Sequence, residues 1–190
     1  GGWAHGTVAS GLDSPYAVAI GDLDGDGDAD LVIGQYANIP LGTPPYPAED
    51  AEILWARNPK FGGGGWAIFG VAHLANAGVR EIALGDFDRD GDLDIAATMV
   101  DSGGNSDQVG WWASDGTPVD GGWTSHAVSV MGEATQPWGL AAADVDADGD
   151  LDLVAADRTD DEVRWYESDG VPGDYWIVHV IGTLDGATSV

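Results

Sequence analysis

The sequence predicts an all-β fold: a β-propeller of four-stranded blades, with three full repeats and partial strands at each end. Three observations predict it. An aspartate-rich segment recurs at residues 17–33, 81–97 and 140–155, with its first aspartates at 22, 86 and 144. Tryptophans recur at a similar step, as Trp55, Trp111 and Trp165 and again as Trp3, Trp66, Trp123 and Trp176. The apolar runs between these landmarks are short. Whole-unit self-similarity with four short runs per unit is the signature of propeller blades.

Each unit reads in the same order. An apolar run leads into the first aspartate, and the aspartate loop leads into a second apolar run. A third run ends near Trp55, Trp111 or Trp165, and a fourth begins at Trp66, Trp123 or Trp176. Enrichment in Val, Ile, Trp and Tyr, bounded by Gly, Pro, Asn and Asp, marks these runs as strands. No window sustains an apolar face at helical spacing. The units are 11–75, 76–130 and 131–181. Residues 1–10 read as the last strand of a preceding blade, and 182–190 as the start of a further one. Propellers close with typically 4–8 blades. Three would leave strand edges and apolar faces open. The expectation is therefore either a segment of a larger propeller or copies that complete one another. The opening Gly1-Gly2-Trp3, without a methionine, adds the expectation of a piece cut from a longer chain.

Composition narrows the function. Aspartate plus glutamate number 33 against 6 lysines and arginines, a formal charge of −27. Such a charge repels nucleic-acid phosphates and anionic membrane surfaces. No apolar run approaches the ~18 residues of a membrane span. With 44% hydrophobic residues the chain can bury a core. The absence of cysteine removes disulfides and thiol chemistry.

The loops carry the most specific signal. Aspartates occupy positions 1, 3, 5, 7 and 9, with glycine at 6. The first loop holds Asp22, Asp24, Asp26, Asp28 and Asp30, and the second Asp86, Asp88, Asp90, Asp92 and Asp94. The third holds Asp144, Asp146, Asp148, Asp150 and Asp152. Five like charges in nine residues call for a hard cation, and Ca²⁺ accepts 6–8 oxygens in a flexible cage. Three Ca²⁺ sites are expected, with side chains from positions 1, 3, 5 and 9 and a backbone oxygen from position 7. Mg²⁺ is the alternative, but it prefers a rigid octahedral site. An EF-hand is excluded, because position 12 is Ile33, Ala97 or Ala155 where a bidentate Glu is required. Three bound Ca²⁺ would bring the charge from −27 only to −21, and the remaining acidity fits a secreted or salt-tolerant surface.

The pattern Asp-x-Asp-x-Asp-Gly-Asp-x-Asp followed by an apolar pair resembles the FG-GAP/VCBS repeat. That unit builds integrin-α-like propellers and some fungal and bacterial propeller lectins. The resemblance covers roughly residues 11–181 and implies a calcium-bearing, usually extracellular propeller. The Phe-Gly…Gly-Ala-Pro portion that names the family is not evident. Residues 19–22, 83–86 and 141–144 occupy the equivalent run, which places the chain nearer the VCBS-like branch. The family names a scaffold more firmly than an activity.

Other chemistry is thinner. Tryptophans at the blade period read as packing between blades, and the less regular Trp112 and Tyr166 are candidates for stacking on a sugar. His126 and His179 follow their tryptophans by three residues, where Phe69 stands in the first unit. Such recurrence points to a structural role. No nucleophile elbow, zinc-protease motif or phosphate loop occurs. The proline-rich insertion 35–50 reads as a surface loop. The expected function is an extracellular adhesion or binding module for a glycan or protein, with no catalysis. The alternatives are a self-assembling subunit and, ranked lower, the accessory propeller of a secreted polysaccharide-degrading enzyme.

Overall fold

A computed structural model describes residues 6–12, 14–36, 53–59, 65–74, 77–101, 108–128, 136–171, 176–183 and 189–190. Most of the 35–50 insertion and residues 1–5 and 184–188 lie outside the described residues. The described residues form twelve strands in three four-stranded antiparallel sheets, three blades of a propeller-like fold. Each sheet is a meander in chain order. The first blade holds β1 (Pro15–Gly21), β2 (Asp30–Gln35), β3 (Ile53–Arg57) and β4 (Ala67–Ala72). The second holds β5 (Ala77–Gly85), β6 (Asp94–Asp101), β7 (Gln108–Ser114) and β8 (Trp123–Ala127). The third holds β9 (Pro137–Ala143), β10 (Asp152–Asp157), β11 (Glu162–Glu167) and β12 (Ile177–Thr183).

The first strands neighbour one another, β1 against β5 and β5 against β9, so the sheets fan outward from them. Alternation along each strand decides which side chain meets which sheet. Val32 and Trp55 face the second sheet and pack with Val79, Ile95, Ala97 and Trp112. Ala96 and Trp111 lie on the other side of the second sheet, against Leu153, Ala155 and Tyr166 of the third. The outer face of the first sheet, including Ile33, Leu54 and Ala56, is partly covered by Val8, Ala9 and Leu12. Residues 6–10 belong to none of the sheets.

The periodic tryptophans have one local role. Trp55 stacks on Phe69 at 4.9 Å, Trp111 on His126 at 4.4 Å and Trp165 on His179 at 4.5 Å between ring centroids. Each pair is a direct cross-strand pair between the third and fourth strands. The histidines thus fill the place of a phenylalanine. Burial pushes the His126 imidazole below its ordinary pKa, against the pull of Asp88, which favours the neutral ring.

Candidate metal centres

Each aspartate loop is the turn between the first and second strands of its blade. Gly21 pairs with Asp30, Gly85 with Asp94 and Ala143 with Asp152 across its base. Two residues per loop take positive φ. Position 4 sits at 66°, 61° and 64° (Gly25, Arg89, Ala147), and position 6 at 91°, 98° and 99° (Gly27, Gly91, Gly149). The first value falls in the small left-handed region open to L-residues, while the second lies beyond it and requires glycine. These kinks turn amides inward onto the position-1 carboxylate. Asp22 accepts from Asp26 N at 3.0 Å and Gly27 N at 2.8 Å, and Asp144 from Asp148 N and Gly149 N at 3.1 Å each. Asp86 accepts from Gly91 N at 3.1 Å. No atom lies within 4 Å of a Cβ built at Gly91, so Gly91→Ala isolates the backbone requirement. It should cost about 1–2 kcal/mol, a drop of roughly 2–8 °C in melting temperature for a chain of this size.

Position 9 is the loop's anchor. Asp30, Asp94 and Asp152 are buried at 1%, 0% and 0% exposure. One oxygen of each accepts from the amide at position 2, Leu23, Phe87 or Val145, at 3.3, 2.8 and 3.0 Å. The other accepts from the amide of Asn58, Ser114 or Ser168 at 2.7, 2.8 and 2.9 Å. Those three residues stand three places after the periodic tryptophans, a fixed offset that sequence reading passed over. Asp30 also accepts from the Trp55 indole at 3.0 Å. Burial pushes the Asp94 carboxyl up to about 7, opposed by the Ser114 and Phe87 amides and reinforced by repulsion from Asp88 and Asp90. Burial raises Asp30 likewise, and raises Asp88 with added repulsion from Asp90. A cation among these groups would favour their ionised forms.

Three carboxylates converge in every loop, with ligand atoms within 4.8 Å of one another: Asp22, Asp24 and Asp30; Asp86, Asp88 and Asp90; Asp144, Asp146 and Asp152. Oxygens on opposite sides of a Ca²⁺ ion lie about 5 Å apart, so this spacing fits a shared ion. The all-oxygen donor set suits a hard cation, and Asp86 Oδ1 is buried without a hydrogen-bond donor. Of the expected side-chain ligands, Asp94, Asp26 and Asp148 stand outside these groups. All three position-5 aspartates, Asp26, Asp90 and Asp148, accept from the position-7 amides, at 3.0, 2.9 and 2.9 Å. Position 7, Asp28, Asp92 and Asp150, is outside all three groups. A Cβ on Gly116 or Gly170 would strike Asp92 or Asp150, so these side chains lie against the following turn. Two arginines join the loops unforeseen. Arg57 reaches Asp24 at 2.6 Å and Asp26 at 3.7 Å, and Arg89 of the second loop meets Asp150 of the third.

The sugar-stacking candidates sit elsewhere. Tyr166 is 1% exposed between the second and third sheets, and Trp112 is 6% exposed between the first and second. Both rings pack between sheets, and Tyr166 is closed off almost completely. Next to a periodic tryptophan on the same strand, each points to the opposite side, into the core with the preceding sheet. Trp112 also lines a cavity of about 540 Å³ with Gln108, Trp123 and Ser125.

A family model described as an FG-GAP-like repeat matches residues 86–155, and one described as an FG-GAP repeat matches residues 14–44. No curated protein matches the chain.

Proposed function

Since the chain belongs to the FG-GAP repeat family, we propose that it is an extracellular, calcium-binding propeller module for adhesion that binds a glycan or protein ligand and performs no catalysis. FG-GAP repeats are typical of surface and extracellular proteins. The observation that carries the calcium reading is the threefold convergence of carboxylates at one end of the blades. Asp22, Asp24 and Asp30, Asp86, Asp88 and Asp90, and Asp144, Asp146 and Asp152 would hold the ions. Bound Ca²⁺ supplies charge compensation, not chemistry on a substrate. The absence of catalysis is supported by the stacking of His126 and His179 on tryptophans, which gives both rings a packing role. The test is thermal melting in chelator and in millimolar calcium. Binding to the native state alone stabilises it by mass action. Three sites should raise the melting temperature well beyond the error of the measurement, and equal values would refute the reading.

One observation favours a second reading, assembly through the open faces. Trp165 and His179 repeat the stack of Trp111 on His126, in which Trp111 is buried against the third sheet, yet no sheet covers Trp165 among the described residues. The opposite end of the fan offers Val18 and Ile20 of β1, 60% and 68% exposed. Because these faces differ, contact between copies is heterologous, closing a ring or running on as a filament. Light scattering in calcium should find oligomers, and a stable monomer at high concentration would rule assembly out.

A further inference from the structure

At the end of the blades away from the aspartate loops, the three first strands share an irregularity. β1 skips Tyr16 in its pairing with β2, β5 skips Arg80 against β6, and β9 skips Trp138 against β10. The three residues lie six places before the first aspartates, so the bulge belongs to the repeat. Bulges re-aim side chains, and they gather beside functional sites. Here the re-aimed groups meet. The Arg80 guanidinium lies 4.7 Å from the Tyr16 ring centroid, 4.8 Å from that of Tyr36 and 4.8 Å from that of Trp138. Arg158, directly after β10, lies 4.8 Å from the same Trp138 ring.

Two features make this stack more than mortar between blades. Arg57, Arg89 and Arg164 all meet carboxylates. Arg80 and Arg158 meet ring faces instead, in a chain with 33 acidic residues. Stacking uses the guanidinium face and leaves its in-plane N–H donors for another partner. In addition, Arg80 Nε is a buried donor without an acceptor, a cost of about 1–3 kcal/mol unless an acceptor completes it.

We propose that Arg80, Arg158, Trp138 and Tyr16 form a binding site for an oxyanion, a carboxylate or sulfate group borne by a small ligand. The guanidinium edges supply the charge-assisted hydrogen bonds such a group takes, and the half-exposed Tyr16 ring (54%) offers an apolar flank. The charge of −27 disfavours long polyanions, so the site suits an isolated anionic group, as on an acidic sugar. This deepens the binding-module reading without resting on calcium.

The test is calorimetric titration of the whole chain, in calcium and at low ionic strength, with glucuronate, glucose and inorganic sulfate. Saturable one-site binding of glucuronate or sulfate is expected, with none of glucose, and the anion that binds tighter names the source. Arg158→Gln, at an exposed position, should weaken binding at least tenfold while leaving the melting temperature unchanged. No saturable binding of either anion, equal affinity for glucose, or an unaffected Arg158→Gln variant would overturn the inference. A chain that ignores calcium yet binds glucuronate would remove the calcium reading and leave this one standing.

Discussion

Replacing Trp111 with alanine should destabilise the chain by about 3–5 kcal/mol, the usual cost of emptying a large aromatic site in a packed core. Trp111 is 2% exposed and holds the second and third blades together through Leu153, Ala155 and Tyr166. It also stacks on His126 and meets Phe87 edge-on at 5.8 Å. Trp165→Ala is the matched comparison, since Trp165 occupies the same position in the next blade and stacks on its own histidine. With no fourth sheet beside it among the described residues it is only partly buried, and its loss should cost about 1–2 kcal/mol. Chemical denaturation of both variants at low protein concentration measures the difference. Equal losses would mean that the inter-blade surface contributes little. If copies assemble, the Trp165→Ala penalty should grow with protein concentration, because the partner then covers that ring.

A loss of similar size, about 3–5 kcal/mol, is expected from Asp30→Ala. This carboxylate is 1% exposed and accepts from three donors: the Leu23 amide, the Asn58 amide and the Trp55 indole. Alanine leaves all three without an acceptor inside the fold. The variant separates two roles that the aspartate combines. In chelator the loss should persist, because the hydrogen bonds do not depend on a metal. In calcium it should increase, because Asp30 also belongs to the converging set with Asp22 and Asp24. Asp30→Asn keeps one acceptor oxygen and should recover part of the chelator loss but little of the calcium-dependent part. A variant as stable as the parent in both conditions would contradict both roles.

Much of this was legible in the sequence because the repeat amplifies it. The aspartate pattern recurs three times, and position 9 leads straight into an apolar strand. Hence the strand order and the loop positions followed from spacing. The packing positions of Trp112 and Tyr166 follow from the pleat. Strand alternation places a neighbour of Trp111 or Trp165 on the opposite face, which in this fan packs on the preceding sheet. Other features left no such trace. Tyr16, Arg80 and Trp138 share a repeat position but not a chemistry, so only the ring contacts between neighbouring first strands show that they meet. Arg89 and Asp150 lie in different loops, and their contact depends on how adjacent blades stand side by side. Which three of five carboxylates converge depends on loop dihedrals, and the second loop differs from the other two in using position 5 in place of 9.

Direct calcium titration of the metal-stripped chain tests the central claim most closely. Isothermal calorimetry should find three Ca²⁺ per chain, and each of Asp22→Ala, Asp86→Ala and Asp144→Ala should remove one site while sparing the other two. A stoichiometry of zero, or binding untouched by all three substitutions, would contradict it.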